Sequence, residues 1–225
     1  MLKINNFFSV AIISLALVSL SAIAGKPVAI SKADGPNSLE IGLSVSVGEH
    51  KIMRNQDNAA TVNPAFAKTS RPCPPFCIQP MQLRPGIETI GEQEIIHYAV
   101  MMSKGEKMPD GSEIMVIDSR TPDWVAKGTN PGAVNLPWTL LSEREGADPL
   151  SIAEIMTTKF GAEEQNGLFY FDNAKTLVMF CNGMWCGQSP NNIKSLLKYG
   201  YPADKIKWYR GGMQNWENLG FNTVK

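Results

Sequence analysis

The chain has 225 residues, 44% of them hydrophobic and 19% charged, which excludes a wholly disordered polymer. Lys+Arg and Asp+Glu each number 21, and a zero balance argues against a dedicated nucleic-acid binder, whose affinity rests on neutralising phosphates. Four Cys are too few for a disulfide-dense mini-protein, and the length suffices for an ordinary core.

Residues 1–24 have the layout of a secretory signal. Lys3 is the only charge, Phe7 to Leu20 is apolar with scattered Ser, and Ala22-Ile23-Ala24 places small residues at −3 and −1 of a cleavage site. The apolar stretch is short for a bilayer span, and no basic cluster follows it. The expectation is cleavage after Ala24, with no stable membrane insertion afterwards. A periplasmic or secreted location, where disulfides persist, follows.

Residues 25–84 read as an N-terminal appendage and linker. Ile41, Leu43, Val45 and Val47 alternate with small residues, a strand pattern, with Gly48-Glu49-His50 as the turn and Lys51 to Arg54 as the return strand. Asn55 to Ser70 is polar and irregular. Four prolines between Arg71 and Pro80 exclude a regular helix there. Cys73 and Cys77 flank Pro74-Pro75-Phe76; a local disulfide is the simple reading in an oxidising compartment, with free thiols or a second redox pair as alternatives. A zinc site needs three or four ligands, and the chain has only two His, so no metal is expected.

From Pro85 to Lys225 the pattern alternates between strand and helix. A short strand lies within Gly86 to Gly91, and a helix spans Glu92 to Met102. A buried strand covers Glu113 to Asp118, and Thr121-Pro122-Asp123 opens a helix. Gly132 to Pro137 contains a strand and Leu150 to Phe160 a helix. Thr176 to Phe180 is a second fully buried strand, followed by a helix from Ser189 to Tyr199. A strand over Ile206 to Tyr209 and a helix over Gly212 to Leu219 close the chain. This order predicts an α/β domain with a parallel sheet covered on both faces and sites beyond the carboxyl ends of the strands.

The stretch with most chemistry is Cys181-Asn182-Gly183-Met184-Trp185-Cys186-Gly187. A buried strand stops, a Cys follows at once, and a compact loop leads into a helix. Gly183 and Gly187 permit backbone geometry that a β-carbon forbids. Successive N–H groups can surround the sulfur as an anion nest, and the helix start adds its positive end. Both favour the thiolate, which is the nucleophile. No histidine base is needed, and neither His50 nor His97 has a setting that suggests a Cys–His pair.

The ordered set of motifs resembles the rhodanese family. Ile117-Asp118-Ser119-Arg120-Thr121-Pro122 resembles its strand-end D-x-R. Gly128 to Pro137 resembles its G-H-I-P-G-A-x-x-x-P, with Thr129 in place of the usual His. Cys181 and its loop occupy the active-site position. Lys198-Tyr199-Gly200-Tyr201 resembles the family's helix end, and Tyr209 to Trp216 its C-terminal x-G-G-x-x-x-W. The resemblance implies a rhodanese-like fold and a sulfurtransferase. Cys181 would take a sulfane sulfur from a polysulfide, persulfide or thiosulfate donor, hold it as a persulfide and pass it to a nucleophile in ping-pong fashion. Residues 182 to 187 would line the substrate site. The partner would be a small sulfur compound or a protein persulfide, and no cofactor is called for.

Phosphoryl chemistry on a Cys loop requires Cys-x5-Arg, because guanidinium clamps the oxyanion, and here that position is Gly187. Asn182 to Gln188 holds no cation at all, so thiosulfate is expected to be a poor donor, with Lys194 and Arg210 as candidate compensating cations. Cys186 either faces away or resolves the persulfide as a redox partner. Asp118 and Arg120 are expected to pair and brace loops. Trp124, Trp138, Trp208 and Trp216 are expected in packing roles. A non-catalytic rhodanese-like binding module and a thiol–disulfide protein using Cys181 and Cys186 are the alternative functions.

Overall fold

The computed structural model describes residues 44–225. The expected signal segment and the beginning of the first strand, residues 41–43, lie outside the described residues.

Strand β1 (Ser44–Val47) and strand β2 (His50–Met53) form an antiparallel hairpin in which Val47 pairs with His50. The turn is therefore the two residues Gly48-Glu49, and His50 belongs to the strand rather than the turn. Val47 and Ile52 are buried on its inner face. The stretch read as irregular, Asn55 to Ser70, contains a single 3-10 turn at Pro64–Phe66, where the Asn63 side chain accepts from the Ala65 N–H and Phe66 is buried.

The central sheet has five parallel strands. Strand β3 (Glu88–Ile90) is one edge; the order continues through β9 (Ile206–Tyr209), β8 (Thr176–Phe180) and β4 (Ile114–Asp118) to β5 (Val134–Asn135). All five residues of β8 are buried, as a central parallel strand covered on both faces requires. Its alternate side chains feed two cores. Leu177 and Met179 meet Ile152, Met156, Ile193 and Leu196 on one face. Val178 and Phe180 meet Ile95, Ile96, Met213 and Trp216 on the other.

The first of these faces is covered by α3 (Pro149–Thr158) and α4 (Gln188–Lys198), the second by α1 (Glu92–Lys104), α5 (Gly212–Asn218) and the β1–β2 hairpin. Helix α1 starts where Glu94 folds back to accept the Gly91 N–H and stops at Gly105 in the left-handed region, φ 68°. A short helix α2 (Pro122–Val125) follows β4, and its Thr121 hydroxyl donates to Asp123 rather than capping the backbone. The sheet and the helices on both its faces are those the sequence predicts. One element is additional: β6 (Glu163–Gln165) and β7 (Leu168–Tyr170) form a surface hairpin around Asn166-Gly167, both at positive φ.

Candidate active site

Parallel strands deliver their carboxyl ends to one edge of the sheet, and β8 ends there immediately before Cys181. The residue is 2% exposed and its thiol is free. Its environment is polar. The Ser189 hydroxyl donates to its Sγ at 3.1 Å. Trp208 Nε1–H donates in turn to Ser189 Oγ at 3.1 Å, so the serine's own proton is directed at the sulfur. The amides of Gly183 and Ser189 also face Cys181. As a thiol, Cys181 points at the Cys186 carbonyl, 3.6 Å away.

Burial alone raises the pKa of Cys181. Hydrogen bonds from the Cys186 thiol, the Ser189 hydroxyl and the Ser189 and Gly183 amides outweigh it and bring it down to about 7. Cys186, also buried, moves the other way: burial and the neighbouring Cys181 hold it a protonated donor. The Cys186 thiol is out of water and donates to Gln188 Oε1 at 3.7 Å.

The loop is pinned from behind. The carbonyls of Cys181 and Asn182 accept the Met213 and Gln214 amides at 3.0 and 2.9 Å, and Gly183 O accepts the Cys186 amide at 2.9 Å. Gly212 makes this approach feasible. At φ 56°, its added β-carbon would lie 2.7 Å from Gly183 N and 2.9 Å from the Asn182 carbonyl carbon. Gly187 is different from its expectation: its φ is −92°, and a β-carbon would meet only Asn191 Nδ2, at 4.0 Å. Position 187 therefore does not need glycine, whereas Gly212, a residue of another element, does.

Asn182 is buried and turned inward, its Oδ1 3.5 Å from the Arg120 Nη1 that donates to it. Arg120 and Asp118 are both fully buried and paired through Nη2–Oδ2 at 2.6 Å and Nε–Oδ1 at 2.9 Å. Thr129 Oγ1–H donates to the same carboxylate at 2.6 Å, and Gly128 O accepts from Arg120 Nη2 at 2.7 Å. This cluster fixes the loops around the β4 end. Removal of one partner from such a pair costs about 3–5 kcal/mol, because the other charge stays buried.

Met184 and Trp185 are half-buried at the rim, and Trp185 Nε1–H donates to Gln214 Oε1 at 2.7 Å. Cys73 and Cys77 are joined in a disulfide, and their segment lies on this rim. The Gln79 amide donates to Met184 O at 2.7 Å, and Phe76 meets the Trp185 ring edge-on at 5.7 Å. Arg210 donates to Gln79 O from Nε and Nη2, so it braces the segment and is not a free cation at the sulfur. Lys194 is exposed on α4. The cation that the structure does bring to the loop is Arg71, whose Cζ lies 3.6 Å over the Trp185 ring. The sequence carried no signal for it, because the contact depends on how an irregular segment folds back.

Among the described residues no group of three or more His, Cys, Asp or Glu is placed to hold a metal ion, and no helix is long and apolar enough to cross a membrane. His50 is exposed in β2, and the His97 ring lies 6.0 Å from Tyr98 in α1. A cleft of about 1090 Å³ lined by Arg54, Asp57, Glu217 and Asn222, among others, includes no residue of the Cys loop.

The family model for the rhodanese-like domain matches residues 102–219, more than half of the chain. The chain belongs to the rhodanese-like family. Solved structures similar to this rhodanese-like protein include a Saccharomyces cerevisiae homologue of single-domain rhodanese and the Cdc25 phosphatase catalytic domain. It is 15% identical, with a TM-score of 0.42, over 62% of this chain and 86% of that one. A human single-domain sulfurtransferase, TSTD1, is 21% identical with a TM-score of 0.32, over 57% and 93%. A rhodanese-related protein from Thermoplasma volcanium is 15% identical with a TM-score of 0.30, over 61% and 97%. No curated protein matches the chain.

Proposed function

We propose that this protein is an exported sulfurtransferase that moves a sulfane sulfur from a polysulfide, persulfide or thiosulfate donor to a nucleophilic acceptor through a persulfide on Cys181. The observation that carries the reading is the setting of Cys181 Sγ: out of water, yet faced by a hydroxyl and two amides. The Cys181 thiolate attacks the outer sulfur of the donor. The donor's S–S bond breaks, and its electron pair leaves with the remainder of the donor. The same donors then stabilise the persulfide anion, as preorganised dipoles do at an oxyanion. An acceptor thiolate or cyanide attacks the outer sulfur and restores the Cys181 thiolate. The rhodanese-like family and the absence of a cation at the sixth loop position support transfer over phosphoryl chemistry. Export is supported by the signal-like residues 1–24 and by the Cys73–Cys77 disulfide, which persists in an oxidising compartment.

The test is intact-protein mass spectrometry after exposure to polysulfide. One sulfur atom should appear on Cys181, be removed by cyanide, and be missing from Cys181→Ser. A sulfur-loaded Cys181→Ser protein would overturn the assignment.

A second free thiol in a residue whose carbonyl lies 3.6 Å from Cys181 Sγ favours one further reading, thiol–disulfide exchange through a Cys181–Cys186 bridge. Separate labelling of the two thiols at graded redox potentials decides between them: loss of both thiols together supports exchange, and retention of Cys186 excludes it.

A further inference from the structure

The loop that surrounds Cys181 has no positive side chain between Asn182 and Gln188, although a sulfane donor with an oxyanion head carries its charge close to the reacting sulfur. The structure brings a cation from elsewhere. Arg71 stacks on Trp185, four residues beyond Cys181, and the indole is locked by Gln214. Stacking occupies the face of the guanidinium and leaves its in-plane N–H fork to bind something else. Arg71 Nε is buried with no hydrogen-bond partner, and among the described residues Arg71 forms no ion pair. The positive charge beside the Cys loop is therefore left uncompensated among the described residues, and a bound oxyanion would compensate it. The segment that carries Arg71 is closed on itself by the Cys73–Cys77 disulfide and anchored beside the loop twice, by Gln79 on Met184 and by Arg210 on Gln79. It lies outside residues 102–219, the part matched by the family.

We propose that the disulfide-clasped segment 71–79 is the outer wall of the Cys181 site, and that Arg71 is its specificity-determining residue, binding the oxyanion head of donors such as thiosulfate. This rests on the sulfurtransferase reading and reverses the sequence expectation that thiosulfate is poorly used. In the first half-reaction the Cys181 thiolate bonds to the outer sulfur of thiosulfate. The S–S bond breaks, and sulfite leaves with the electron pair and both negative charges. Arg71 holds the oxygens as that charge grows on them. Polysulfide has no such oxygens and gains less from the guanidinium.

The experiment compares wild type, Arg71→Gln, Arg71→Lys and the Cys73→Ser/Cys77→Ser double variant, with thiosulfate and polysulfide as donors and cyanide as acceptor. The ratio of kcat/KM for thiosulfate to that for polysulfide should fall roughly 10- to 100-fold in Arg71→Gln, the loss expected for one charge-assisted contact. It should fall less in Arg71→Lys, which keeps the charge but not the fork. The double variant should fall part of the way with Arg71→Gln, because the turn that follows Arg71 is no longer closed. An unchanged ratio in Arg71→Gln overturns the proposal. Calorimetric binding of thiosulfate to Cys181→Ser, with and without Arg71→Gln, separates the two readings. Binding that needs Arg71 upholds the anion site even if no sulfur is transferred. Failure of Cys181→Ser to bind thiosulfate overturns it.

Discussion

Ser189→Ala isolates one hydroxyl that helps set the charge of Cys181. It deletes the hydroxyl 3.1 Å from Sγ and leaves the Gly183 and Ser189 amides in place. A hydrogen bond to a charged group contributes about 1.5–3 kcal/mol, which corresponds to a rise of about 1 to 2 in pKa. Cys181 would then titrate at about 8–9 instead of about 7. At pH 7 its thiolate fraction drops from about one half to between about one tenth and one hundredth. A more basic thiolate is also more nucleophilic, by about 3- to 8-fold over that range. The net rate at pH 7 should be roughly two- to six-fold lower, while above about pH 10 the variant should be the faster protein. The assay is the rate of Cys181 alkylation by iodoacetamide against pH, read by peptide mass spectrometry. Trp208→Phe, which leaves the hydroxyl but frees it from its own donor, should move the curve less. Superimposable curves for wild type and Ser189→Ala, or a variant slower by one constant factor at every pH, would refute the reasoning.

Gly212→Ala should disable the site without touching Cys181. The new β-carbon lands on Cys181 and Asn182 backbone in a left-handed conformation, at a cost of at least about 2–3 kcal/mol, with loss of persulfide formation. Urea unfolding checks the first and mass spectrometry the second; a wild-type midpoint would contradict the packing. Stability should also depend on pH through Cys181. Its pKa in the folded protein, about 7, lies below its ordinary 9.0, so ionisation stabilises the fold. That contribution, about 3 kcal/mol, is complete above pH 9 and is lost as pH falls through 7. Cys186, pushed up instead, opposes folding as pH climbs beyond 9. The difference between wild-type and Cys181→Ser unfolding energies should therefore rise from pH 6 to 9; a flat difference would exclude a depressed Cys181.

The sheet was legible because its strands announce themselves by burial. Thr176–Phe180 and Ile206–Tyr209 are short, mostly apolar runs between turn signals, and the structure has both at the expected residues. The β6–β7 hairpin was missed because its strands are exposed and carry Glu163, Glu164 and Gln165; only the Asn166-Gly167 dipeptide marked it. At the site, the Cys loop could be read from its spacing, since a strand end, a loop and a helix start are consecutive in the chain. Its supports could not. Ser189 presented itself as a helix start and Trp208 as packing, yet together they form the relay to the sulfur. Gly212 took over the role assigned to Gly187, because the close approach is between elements and not within the loop. Arg71 was invisible for the same reason, more than a hundred positions from the Trp185 ring it stacks on.

The carboxyl tail has a consequence for anyone who trims this protein to the portion matched by the family. Asn222 bonds to Met53 through both its main chain and its side chain, and Val224 bridges to Thr129. Edge strand β3 and nearly three turns of α1 precede residue 102, and the tail residues follow residue 219. A fragment cut to 102–219 would lack an outer ribbon of its sheet and the stopper over one greasy layer. What is inherited as a recognisable unit is thus smaller than what must be synthesised for it to stand.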